Sequence, residues 1–182
     1  MSRINPALPP YSLSIQTYLD KLMPKNMEPL YLFRVLARDE RLFARFMSAG
    51  LLDRGHLSMR EREVVILRVC ANEHSEYEWG VHVAAFGSKA QWTKEQLHSS
   101  IYGGVEDACW DTEDQLIIRL SDQLHKTARV DDALWAELSA HFTEEQLVEL
   151  IMLAGLYHAV SFMVNAIGVQ HEAFAPRFPS NA

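Results

Sequence analysis

The chain has 182 residues, with 17 Lys and Arg against 24 Asp and Glu, for a formal charge of −7. That balance excludes a generic grip on phosphate backbones or anionic membrane surfaces, which needs clustered basic residues. With 48% hydrophobic and 23% charged residues, the chain is not disordered. Two cysteines, Cys70 and Cys109, are too few for a disulfide framework and point to a reducing, cytoplasmic setting.

Residues 1–28 read as an extended proline-bearing arm, Met1 to Pro10, followed by a short helix over Tyr11 to Met23 that Pro24 stops. Nothing in Met1 to Pro10 resembles the apolar core of a signal peptide. Residues 29–172 read as one helical domain and 173–182 as a tail. Pro29 to Leu52 is helical in period, with a break near Asp39. Met59 to Ala71 is apolar around most of its circumference after Glu63, the pattern of a helix buried on nearly all sides. Further helices are expected from Ser75 to Ala85, Lys94 to Ile101, Glu113 to Lys126, Asp132 to Ala140 and Glu144 to Ile167, the last capped by Gly168.

Five Ser/Thr-x-x-Glu/Gln pairs punctuate these segments: Ser58 with Glu61, Ser75 with Glu78, Thr93 with Gln96, Thr112 with Gln115, and Thr143 with Gln146. Each fits a capping box, in which two side chains satisfy orphan backbone N–H groups at a helix start. Together they predict an all-α bundle. The stretch Leu147 to Val169 is apolar enough for a membrane span, but Glu149, His158 and Asn165 are costly in lipid, so it reads as a buried core helix.

The segment from Arg60 to Val69, the string Ser75-Glu-Tyr-Glu-Trp-Gly-Val-His82, Trp92 to Leu97, Leu156 to Ala159, and Asn165 to Glu172 resemble the carboxymuconolactone decarboxylase/alkylhydroperoxidase D family. The resemblance implies a helical bundle assembled as a homo-oligomer, trimer or hexamer, with sites near subunit contacts. In the family's peroxidase branch a Glu precedes a Cys-x-x-Cys pair and a His follows it. That spacing selects Glu63, Ser75, Glu78 and His82, so both acid/base positions match and both sulfur positions are replaced. Peroxide reduction by that route needs a thiolate and a resolving thiol, which Ser and Glu do not supply. Cys70 and Cys109 match neither position.

Glu78 and His82, four residues apart, are expected to share a helix face. A carboxylate beside an imidazole suits acid/base chemistry near neutral pH. Glu63 is expected as a second carboxylate or proton relay, with Glu78 holding the imidazole ring. Ser75, Tyr77, Trp79, Tyr157 and His158 are expected to line the substrate pocket. The resemblance implies a small lactone or related carbonyl compound as substrate, turned over without a cofactor. Two carboxylates at the site favour a neutral or singly charged molecule over a dicarboxylate. Capping alone also accounts for Ser75 and Glu78. Two further readings remain: a metal site at His74, Glu78 and His82, which a helix starting after His74 would spoil, and a non-catalytic oligomeric small-molecule binding protein. No nucleic acid or membrane partner is expected.

Overall fold

The computed structural model describes residues 2–24 and 27–180. Among these lie nine helices: α1 (Leu13–Leu22), α2 (Tyr31–Leu36), α3 (Glu40–Ala49), α4 (Met59–Asn72), α5 (Glu76–Phe86), α6 (Lys94–Tyr102), α7 (Thr112–Thr127), α8 (Asp132–His141) and α9 (Glu144–Ile167). The break expected near Asp39 is the junction of α2 and α3, where the Asp39 side chain accepts from Leu42 N–H. Three capping boxes form in full: Ser58 with Glu61, Thr93 with Gln96, and Thr143 with Gln146.

The other two do not. At α7 the cap is Asp111, which takes the Asp114 N–H. An aspartate is at least as good a cap as the neighbouring threonine, so the helix starts one residue early. At α5 Ser75 precedes the helix but makes no capping bond, and its Oγ is buried without a partner. Glu78 is turned inward and does not close a box.

Helix α4 is the hub, packed against α5, α6, α7 and α9. Val65, Ile66, Leu67 and Cys70 are fully buried, as its all-round apolar pattern requires. Two bidentate guanidinium–carboxylate pairs clamp it to α7: Arg60 to Asp114 at 2.6 Å and Arg68 to Asp122 at 2.6 Å at closest approach. A second apolar cluster joins α1, α2 and α3 to α5 and α9 through Leu19, Leu32, Phe43, Val81 and Val160.

Helix α9 is long and apolar enough to cross a membrane. One of its stripes is buried: Leu147, Leu150, Leu153, Ala154, Tyr157, Val160 and Val164 lie in the two clusters, with Ser161 buried among them along the helix. The opposite stripe is not: Val148, Met152 and Phe162 are 62%, 60% and 56% exposed. The expected buried helix is therefore buried on one side only. Gly168 ends it in the left-handed conformation, φ 64°, which glycine adopts without steric cost.

Beyond α9 the chain folds back over α5. Arg177 pairs with Glu76 at 2.6 Å, and the Phe178 ring meets Trp79 edge-on at 5.5 Å. Gly80 is where the two backbones meet, since a Cβ there would lie 2.3 Å from the Pro176 carbonyl oxygen.

Candidate active site

The centre of the site is His82 on α5, 3% exposed. Both ring nitrogens are engaged. Nδ1 lies 2.8 Å from Oε2 of Glu63 on α4, and Nε2 lies 2.8 Å from the Tyr157 hydroxyl on α9. Two consecutive helices and a third from 75 residues further on thus meet in one line: phenol, imidazole, carboxylate. The Tyr157 and His82 rings are perpendicular, with centroids 4.9 Å apart.

Glu63 is fully buried, and its other oxygen, Oε1, takes Arg62 Nε–H at 3.1 Å. Arg62 also donates to the Leu52 carbonyl at 2.9 Å, and its guanidinium lies 4.9 Å from the centre of the Phe86 ring. The Phe86 ring in turn packs on His82 at 5.3 Å. Phe86 and Arg62 together roof the imidazole. A buried carboxylate needs this kind of pairing, because one left alone costs several kcal/mol.

Glu78 is the second acid in the cluster. It is buried, and its Oε1 has no hydrogen-bond partner. Burial pushes its carboxyl up to about 7; the nearby His82 opposes the rise and Glu172 adds to it. The group therefore changes charge near neutral pH. Tyr157 is held well above the ordinary phenol range by burial and by the charges of Glu78 and Glu63, so it remains a phenol that can both donate and accept.

The structure brings Glu63, Glu78, His82 and Tyr157 together, but with roles exchanged. Glu63 holds the ring, and Glu78 is the carboxyl without a partner. Tyr77, Trp79 and His158, also expected in the pocket, go elsewhere, while Ser75 is buried at the start of α5 with its Oγ unpartnered. Tyr77 donates its hydroxyl to Glu172 at 2.6 Å and accepts from Leu32 N–H at 3.1 Å, inside the second apolar cluster. Trp79 points into the main core and donates Nε1–H to Ser100 at 3.0 Å. Positions 77, 78 and 79 sweep about 200° around the helix, so the residues flanking Glu78 cannot both share its direction. His158 follows Tyr157 by about 100° and lies on the outside, 2.7 Å from Glu73. The grouping of His74, Glu78 and His82 does not form. His74 is exposed with φ 52°, outside the helix, while the other two are buried.

Two contributors were not expected. Arg62 is one; its place beside Glu63 on an apolar helix was the available sign. Cys70 is the other. Burial and the charges of Glu78 and Glu63 hold its thiol well above the usual range, so it stays protonated. Cys70 and Cys109 are both free.

Residues 40–120, spanning Glu63 through His82, match the model of the carboxymuconolactone decarboxylase family. That segment belongs to the carboxymuconolactone decarboxylase family. Tyr157 lies outside the matched segment, so the phenol arm of the site comes from α9. No curated protein matches the chain. Among solved structures, it is similar to a peroxidase-related protein from Silicibacter sp. TM1040, with TM-score 0.82 and 16% identity over 98% of this chain and 96% of that one. It is also similar to a peroxidase-related protein from Ralstonia eutropha JMP134 described as an alkylhydroperoxidase AhpD core. There the TM-score is 0.72 and the identity 19%, over 90% of this chain and 87% of that one. At these identities the likeness establishes a shared helical bundle.

Proposed function

We propose that this chain is a cofactor-free acid/base enzyme acting on a small carbonyl compound, by decarboxylation, isomerisation or lactone conversion. The observation that carries the reading is the Tyr157–His82–Glu63 line, 2.8 Å at each step, with a partnerless carboxyl beside it. In a decarboxylation the carbon–carbon bond breaks, carbon dioxide leaves, and the electron pair becomes an enolate-like anion. His82 delivers the proton that quenches it, through the Tyr157 hydroxyl. Glu63 stabilises the imidazolium, with Arg62 balancing its charge. Glu78, whose carboxyl is raised to about 7, takes the substrate's own carboxyl proton where the acid enters protonated, leaving the carboxylate that loses carbon dioxide.

The arrangement favours a neutral or singly charged substrate. Arg60, Arg62 and Arg68, the cations nearest in sequence, are each engaged with a carboxylate: Asp114, Glu63 and Asp122. None is left to bind a dicarboxylate.

A thiol peroxidase reading is weaker. Peroxide reduction needs an accessible thiolate, and Cys70 is fully buried and held protonated. The exposed stripe of α9 supports assembly into a homo-oligomer, since contiguous apolar faces are usual subunit contacts. Light scattering is expected to show more than one chain per particle.

The test is a panel of lactones, β-keto acids and organic hydroperoxides offered to wild type, Tyr157→Phe and Cys70→Ser. The expected outcome is turnover of a carbonyl compound that Tyr157→Phe slows and Cys70→Ser leaves intact. Reduction of hydroperoxides that Cys70→Ser abolishes, without carbonyl turnover, would overturn the reading.

A further inference from the structure

A second imidazole–carboxylate cluster lies on the surface, away from His82. Glu73 caps the C-terminus of α4, His125 sits in the last turn of α7, and His158 lies midway along α9. Both histidines point Nδ1 at the same atom, Oε1 of Glu73, each at 2.7 Å. One potential ligand atom from each residue lies within 4.8 Å of the other two.

Several features set this cluster apart from an ordinary surface pair. Its three members come from three helices, so packing and not local sequence brings them together. The Glu73 side chain is only 10% exposed, whereas those of His125 and His158 are 39% and 42% exposed. Among the described residues no Lys or Arg pairs with Glu73, so near neutral pH no permanent cation balances its charge. The C-terminal ends of α4 and α7 both converge here, and helix C-termini favour a positive charge. The ligands are also braced. Asn165 Nδ2–H donates to the Glu73 carbonyl at 2.7 Å, and the Phe162 ring packs on His158 at 4.2 Å.

From these features we infer that Glu73, His125 and His158 form a binding site for a divalent transition-metal ion of the zinc type, with a fourth position open to solvent. Two imidazoles and one carboxylate are a known donor set for zinc, and three protein ligands leave one place for water or an incoming group. At bond lengths of about 2.0–2.2 Å, tetrahedral ligand atoms stand roughly 3.3–3.5 Å apart. Both nitrogen–oxygen contacts therefore open by less than about 1 Å to admit the ion. The inference does not depend on the chemistry proposed at His82, because the two clusters share no residue.

The test is titration calorimetry with zinc chloride on the full chain, purified without a histidine tag and stripped with a chelator. The expected result is one ion per chain, with affinity reduced more than about tenfold in His125→Ala and in His158→Ala. His98→Ala, which removes an exposed histidine elsewhere, should bind as wild type does. Thermal melting should show zinc raising the Tm of wild type but not of the His125→Ala/His158→Ala double variant. Absence of saturable binding at millimolar zinc, or binding that survives in the double variant, would overturn the inference.

Discussion

The molecule contains two clusters of the same chemical groups in opposite surroundings. At Glu63–His82–Tyr157 the polar atoms are sealed and matched one to one at 2.8 Å. At Glu73–His125–His158 two imidazoles share one carboxylate oxygen at 2.7 Å and stand half in water. Burial is what separates them. In the interior each lost partner exposes an uncompensated group to a low-dielectric medium, so the cluster is costly to disturb, and burial holds the Tyr157 phenol well above its ordinary range. At the surface water replaces a lost partner and screens the charges, so the same contacts contribute little to stability and remain available to a ligand.

Substitutions sharpen this contrast. The largest stability loss is expected for Glu63→Ala, which strands both Arg62 and His82 in the interior; urea unfolding should show about 3–5 kcal/mol. Next comes Glu78. Its folded-state carboxyl holds a proton more tightly than the unfolded one, so its contribution is complete below about pH 4.5 and is lost as pH rises through about 7. At about 1.4 kcal/mol per tenfold change in proton affinity, that is a decline of about 3 kcal/mol between those limits. Unfolding curves from pH 4 to 8 should show the decline in wild type and its disappearance in Glu78→Gln. Tyr157→Phe leaves one face of His82 unsatisfied and is expected to cost about 1–3 kcal/mol. His125→Ala should change metal-free stability by no more than about 1 kcal/mol. A loss at His125 as large as that at Glu63 would erase the distinction between the two clusters.

Much of the fold could be read from the sequence. Capping pairs and apolar periods located every helix from α3 onward to within a few residues, and α9 was delimited from Glu144 to Ile167. Such signals are local, so they survive without tertiary information. The site was less legible because its key contacts are not local. The four-residue spacing of Glu78 and His82 suggested a pair, but the ring reaches across to Glu63 on α4, where Arg62 makes a buried carboxylate tolerable. Neighbours in sequence misled for a related reason. Tyr77 and Trp79 flank Glu78, and His158 follows Tyr157, yet one step along a helix turns a side chain by about 100°. The surface cluster had no sequence signature, since its residues lie 52 and 33 positions apart along the chain.

The most direct test of the proton-transfer centre is kcat/KM of His82→Asn, with folding verified by circular dichroism, on the best substrate of wild type. If the imidazole carries the proton, the rate falls by about 10²–10⁴-fold while the helical spectrum is kept. A folded His82→Asn enzyme with wild-type kcat/KM would contradict the account.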